Sequence, residues 1–509
     1  MTDTIQTIKQ SARHFFSGTL LSRATGMMRE MALAYVFGAA APLAYFFVAF
    51  RLAQLLRRLF GEGALQSAFI PEFEALRAKS VERASLFFQH LTVLLSFFLF
   101  IVIAIAALAL SIFQQNEISS LTLIMLPSLF FICLYGLNSS LLQCEKKFFI
   151  PSAAPAIFNL VWIAAVLLLK GMPAAQAMPW LAIAVVIACF FQWLLTVPQT
   201  ISFFKKEKFF SINSFKNPDI YALMKPLGLG ILGVGATQIN NAVDSLFALA
   251  AEPGGPAYLW FAGRLQQLPL ALFGIAIGGA ILPPLSRALK TNDQAKYHYF
   301  LKEGLLQTCL FMIPLSVSLF VLGDTCIQLI YGRGDFKPGD VIQTTYCLWG
   351  YALGLIPSAL IIVLAPAFYA QSNYALPAIA SFIGLCLNFI LNSIFIYIFG
   401  WGATSVAIAT SISAWVNLIM MGRKFFNKEA GPSFAPFWQK TMGITLSSFV
   451  AVWGTYQFRL AIQEAPFFAD ALLATKSPIA QLALLVPQTA VFAILFASLY
   501  FAIRCLSKN

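Results

Sequence analysis

Apolar residues run through this chain in long blocks, without the strict alternation of strands or the narrow stripe of surface helices. From near Phe15 to Cys505, blocks of about 20 or more apolar residues recur, each long enough to cross a hydrocarbon core of about 30 Å as a helix, with short polar connections between them. The pattern predicts fourteen spans, centred on residues 15–38, 43–70, 84–112, 120–143, 149–169, 177–203, 220–250, 257–286, 299–322, 343–368, 374–399, 403–421, 436–462 and 479–503. The predicted class is therefore an all-α polytopic membrane protein without a soluble domain. The first span holds Arg23, Arg29 and Glu30, and no small-residue cleavage site follows a clean apolar run. It reads as a membrane helix and not as a cleaved signal.

Composition agrees: 60% of the 509 residues are hydrophobic and 10% charged, against about 25% charged in an ordinary soluble domain. The formal charge of +13 does not point to nucleic acid, because the basic residues are placed as topology signals. With the N-terminus inside, 19 Lys and Arg fall in inner tails and loops and four in outer ones. The positive-inside rule then predicts cytoplasmic N- and C-termini. Ten further basic residues lie within spans or at their edges. A charge at the bilayer centre costs at least about 2.5 kcal/mol, so several of them imply a polar cavity. The eight cysteines are scattered without metal-ligand spacing; Cys326 and Cys347 flank one polar loop, which leaves their pairing open.

An internal repeat organises the spans. A shift of 213 residues aligns AFRLAQLLRRLFGEGALQSAFIPEFEAL (49–76) with AGRLQQLPLALFGIAIGGAILPPLSRAL (262–289), with 11 of 28 positions identical, among them Arg51/Arg264, Gln54/Gln267, Gly61/Gly274 and Pro71/Pro284. The paired segments are spans two and eight, six apart, so the repeat is parallel, about an axis along the membrane normal. Two six-helix lobes are expected, 1–210 and 217–425, with a cleft between them and an accessory helix pair at 434–509.

Spans one and two are unusually charged. At 100° per residue Arg23 and Glu30 share a face, while Arg29 lies about 120° away on the side of Ser22. Gly26, Gly61 and Gly63 permit unwinding or close approach, and broken helices are where transporter sites occur. On span two Arg51 and Arg58 share a face with Arg57 to one side, and Arg264 repeats Arg51 in the other lobe. One reading is a cationic cavity whose guanidinium groups grip phosphate or carboxylate bidentately. The other is that these arginines snorkel to an interface or pair with Glu30 or Glu62. Asp244 is the lone acid of an apolar stretch, with Asn240 on the same side, and an acid at that depth needs a proton, a cation or an arginine. Asn388 and Asn392 at i, i+4 and Thr410 are oxygen ligands suited to Na⁺, or else they hydrogen-bond between helices. Asp324, Asp335 and Asp340 beside Arg333 and Lys337 read as a solvated turn or as the acids of an outer-face enzyme. His14, His90 and His298 form no cluster, and no Walker A, GxSxG or HExxH motif occurs, so ATP hydrolysis and those hydrolase chemistries have no support.

The segments SRATGMMRE (22–30), FFVAFRLAQLLRRLFGEGALQSAFIP (46–71), FAGRLQQLPLALFGIAIGGAILPPLS (261–286) and LAPAFYAQ (364–371) resemble the MurJ/MviN family, the lipid II flippases of the multidrug/oligosaccharidyl-lipid/polysaccharide exporter superfamily. The resemblance runs over essentially the whole chain. It implies a protein of the bacterial cytoplasmic membrane that moves undecaprenyl-pyrophosphate disaccharide-pentapeptide from inner to outer leaflet by alternating access. Membrane potential, a cation gradient or both would drive it. The implied substrate-binding residues are Arg23, Arg29, Arg57 and Arg264, with Ser22, Gly26, Glu30, Arg51, Arg58, Glu62 and Gln267 supporting the cavity. The implied tail groove is formed by spans thirteen and fourteen. The implied partners are lipid II, membrane lipids and other cell-wall synthesis proteins, with no cofactor beyond Na⁺ as a coupling ion. Ala44 and Gly263 stand where the family has acids, Glu30 where it has Asp, and Gln267 where it has Glu, which removes carboxylates from the expected cavity. Two rival readings are a cation-coupled antiporter of the same superfamily and a polytopic glycosyltransferase acting on the same lipid. The first would need acids in what is here a basic cavity, and the second an essential carboxylate among Asp324, Asp335 and Asp340.

Overall fold

The computed structural model describes residues 5–55, 57, 64–113, 116–204, 218–371, 373–426, 435–464 and 478–506, and among these every regular element is helical. In chain order the main elements are α1 (Ile5–Phe37), α2 (Ala41–Ala53), α3 (Ala64–Lys79), α4 (Val81–Phe113), α5 (Glu117–Met125), α6 (Pro127–Cys144), α7 (Phe149–Leu168) and α8 (Ala174–Leu194). They continue with α9 (Pro218–Ala251), α10 (Gly255–Pro269), α11 (Ile275–Lys290), α12 (Gln294–Tyr331), α13 (Pro338–Ala370), α14 (Ala375–Ser393), α15 (Thr404–Phe426), α16 (Ala435–Glu464) and α17 (Pro478–Leu506).

Local sequence explains several boundaries. Gly38, at φ +60°, turns the chain sharply after α1, and Pro42 then occupies the first turn of α2, where its missing N–H costs nothing. Asn116 and Ser119 close a capping box at the start of α5. Asp293 accepts the Lys296 N–H to cap α12, and that bond holds its carboxyl below the usual range.

Ten helical segments, counted over the described residues, are long and apolar enough to span a bilayer. These segments make the described residues an all-α, multi-pass membrane fold. Expected spans one, two, seven and thirteen fall on α1, on α2 with α3, on α9 and on α16, which do not meet that measure.

The chain divides into two compact units, Met1–Val243 and Asp244–Asn509. The division falls inside α9, whereas the repeat places the lobe junction at 210–217. In the first unit α1 lies along α7 and α8 packs on α6 and α7. Trp162 of α7, fully buried, meets Phe46 and Phe50 of α2 and Phe158 of its own helix edge-on. In the second unit α13 packs between α12 and α15, and the α16–α17 hairpin leans on α12. Its core includes Leu285, Tyr297, Leu301, Val363 and Phe368.

Candidate functional site: buried arginines and a carboxylate cluster

α1 runs unbroken through Gly26, so of the two roles open to this glycine, unwinding and close approach, unwinding is not the one it takes. A Cβ on it would make an ordinary van der Waals contact, 3.5 Å from Asn159 Nδ2 of α7. That amide donates to the Ser22 carbonyl and to Thr25 Oγ1, both at 3.1 Å. Its oxygen accepts from Arg29 Nη1 at 3.0 Å. Arg29 is buried, pairs through Nη2 with buried Glu30, and lies over the Trp162 ring at 4.6 Å and the Phe158 ring at 5.7 Å. A desolvated cation–π contact is worth about 2 kcal/mol, and together with the ion pair it offsets the cost of burying the guanidinium. Arg23, on another face of α1, is exposed.

The second expected span is interrupted. α2 stops at Ala53, and a turn follows over Gln54 and Leu55. Gln54 is buried and donates to Ser128 Oγ at 3.0 Å. Arg57 is half-buried, and its backbone N–H bonds the Gln54 carbonyl. Arg58, Gly61, Glu62 and Gly63 lie outside the described residues. Arg51 sends Nη1 to the Asn241 carbonyl of α9 at 2.6 Å.

In the second unit Arg264 stands half-buried on α10, with its guanidinium 4.3 Å from the ring centre of Trp260 one turn earlier. Gln267 is exposed, and its neighbour Gln266 bonds the Tyr351 carbonyl. Immediately after, residues Leu270–Gly274 form a π-helical segment. The 213-residue repeat maps this segment onto 57–61, of which 58–61 lie outside the described residues. Among the absent acids, Ala44 is fully buried in the first unit, while a Cβ at Gly263 would meet only Tyr351 at 3.9 Å.

Asp244 is buried, and the residues expected to join it do so. Asn388 Nδ2 and Asn392 Nδ2 donate to its Oδ1 at 2.6 and 3.1 Å, and Thr410 Oγ1 donates to Oδ2 at 3.0 Å. Three helices, α9, α14 and α15, thus converge on one carboxylate. The interhelical hydrogen bonds that formed one reading of the asparagines are present. The donor set also suits a small hard cation: one carboxylate, two carboxamides and a hydroxyl supply only oxygens once the amides rotate. Asn392 Oδ1 is buried without a hydrogen-bond partner among the described residues, as an oxygen reserved for an ion would be.

Two of the three acids of the predicted outer loop, Asp324 and Asp340, have structural roles. Asp324 is not in a loop but in the last turns of α12, which extends to Tyr331, and it takes both Nη groups of Arg459 from α16. Asp340 caps α13 by accepting the Lys337 N–H at 2.9 Å and receives Tyr258 Oη at 3.3 Å. Asp335 is exposed. Cys326 and Cys347 are both free thiols.

Sequence reasoning missed Asn159, Trp162 and Arg459. Asn159 had a readable signal, as the only carboxamide in the apolar stretch of α7. Arg459 had one too, as a basic residue within a span.

Residues 33–501 match the family model described as "Lipid II flippase MurJ". The chain belongs to the MurJ family. A relative from Chlamydia muridarum (strain MoPn / Nigg), named as a probable lipid II flippase MurJ, is 34% identical over 419 residues, covering 81% of this chain and 77% of its own. One of the same name from Vibrio cholerae serotype O1 is 30% identical over 431 residues, covering 80% of each. Among solved structures, "Lipid II flippase MurJ, inward closed conformation" superposes with a TM-score of 0.76 at 24% identity, over 96% of this chain and 98% of that one. An inward-facing MATE transporter of the MOP superfamily follows at 0.64 and 14% identity, over 79% and 94%. These structural likenesses carry the fold. MurJ relatives are named as flippases, which are transporters and not enzymes.

Proposed function

We propose that this chain translocates lipid II from the cytoplasmic to the outer leaflet of the bacterial inner membrane by alternating access, with both termini cytoplasmic. The observation that carries this reading is the match to the flippase family over residues 33–501. Arg23, Arg57 and Arg264, joined by Arg29 when its cage opens, hold the pyrophosphate and peptide carboxylates. What supports that role is guanidinium chemistry on otherwise apolar helices, with Arg23 exposed and Arg57 and Arg264 partly accessible. An outward-moving anion is favoured by an inside-negative potential, by about 2.3 kcal/mol per charge at 100 mV, so ATP is not required. Na⁺ held by Asp244, Asn388, Asn392 and Thr410 resets the empty carrier.

The polyprenyl tail lies against the accessory pair. An apolar cavity of about 430 Å³, lined by Phe273, Phe311 and Pro314 with Phe496 and Tyr500 of α17, supports this. Its lining comes from spans eight, nine and fourteen and includes no residue of span thirteen, which the expected groove would have used.

In cells depleted of their own flippase, the wild-type chain is expected to restore growth. Arg23→Ala and Arg264→Ala, at matched expression, are expected to let lipid II accumulate in the inner leaflet. Normal growth with both variants would make these charges structural.

A further inference from the structure

Arg29 has two hydrogen-bond partners of different charge: the Glu30 carboxylate and the neutral carboxamide oxygen of Asn159. Nothing about packing alone requires an amide at residue 159, since Asp has the same shape. The amide does two things that Asp cannot. Its NH₂ reaches the Ser22 carbonyl and the Thr25 hydroxyl, so one side chain ties together two turns of α1, including the turn that carries Arg23. Its oxygen holds Arg29 without neutralising it a second time. A guanidinium clamped between two carboxylates would be held by two charge-assisted bonds, each roughly twice as strong as a neutral one. An incoming phosphate would then have to displace a charged partner. With Asn159 in place, the exchangeable partner is neutral.

We infer that Asn159 is a positioning residue for anion binding: it holds Arg29 in its aromatic cage through a bond weak enough for a phosphate oxygen to replace, while fixing the α1 turn that presents Arg23. The inference rests on the flippase reading above and adds a residue to it. One further feature of the cage agrees: the Arg29 Nε–H is buried without an acceptor among the described residues, so the guanidinium keeps a donor for a phosphate oxygen.

The test is lipid II translocation by the full-length chain, with Asn159→Ala, Asn159→Asp, Glu30→Gln and the double variant Asn159→Asp/Glu30→Gln, each at matched membrane level and with its melting temperature recorded. A role confined to shape makes the isosteric Asp the milder of the two Asn159 substitutions. The inference predicts the reverse order. Asn159→Asp is expected to lower translocation about tenfold, the scale of one hydrogen bond to a charged group, and to fall below Asn159→Ala. The double variant, which again gives Arg29 one carboxylate and one amide, is expected to recover most of that loss. If Asn159→Asp is milder than Asn159→Ala, or the double variant is no better than Asn159→Asp alone, the inference is overturned. Failure of the wild-type chain itself to move lipid II would overturn the flippase reading instead, and is told apart by that control.

Discussion

Single residues decide how a charge is tolerated inside this apolar chain. Arg29 is buried because an ion pair, a carboxamide and two aromatic faces surround it; remove them and the desolvation cost returns in full. Asp244 accepts hydrogen bonds from the Asn388 and Asn392 amides and the Thr410 hydroxyl, and its carboxylate carries the charge of the candidate ion site. Asp244→Asn keeps the shape and most hydrogen bonds while removing the charge, so it is expected to leave the protein folded and abolish any dependence of transport on Na⁺. The check is transport rate against Na⁺ concentration in wild type and variant, and a variant that keeps the wild-type Na⁺ dependence would remove the ion site. The sequence showed Asp244 as the only acid of an apolar stretch, and Asn388 and Asn392 by their i, i+4 spacing on a neighbouring span. It did not show that Arg29 is enclosed, since enclosure depends on Trp162 and Asn159, more than 100 positions along the chain.

At the scale of elements, the interruptions matter most. α2 ends at Ala53, and the repeat-equivalent helix changes to π geometry at Leu270–Gly274; such local departures often mark functional sites. The repeat was legible from 11 shared residues, but not the form each break would take, because a π segment depends on how neighbours fill the widened turn. Phe273 of that segment stacks on Phe311 at 4.7 Å. Asp324 was misplaced for a related reason: α12 continues seven residues past it, and Arg459, far along the chain, determines what it does. That pair fastens α16 to α12. Being half-exposed, it is worth about 1 kcal/mol at most, so Arg459→Ala is expected to speed amide exchange in α16 near residue 459 while leaving global unfolding almost unchanged. Hydrogen exchange by mass spectrometry checks this, and unchanged exchange would mean that apolar packing alone holds the hairpin.

For the whole molecule, composition and block length were enough for the membrane class, and motif likeness for the family that residues 33–501 then matched. The boundary between units was harder to read. The repeat counts residues in sequence, whereas contacts assign the first part of α9 to one unit and Asp244 onward to the other. α9 therefore carries, on one continuous helix, the carbonyl held by Arg51 and the carboxylate of the candidate ion site. If this chain itself moves lipid II with the assistance of the membrane potential, the purified protein in liposomes, assayed with and without an imposed inside-negative potential, is expected to show outward movement that the potential accelerates and that Arg23→Ala and Arg264→Ala abolish. Translocation no faster than in protein-free liposomes, or unaffected by either arginine, would contradict this reading.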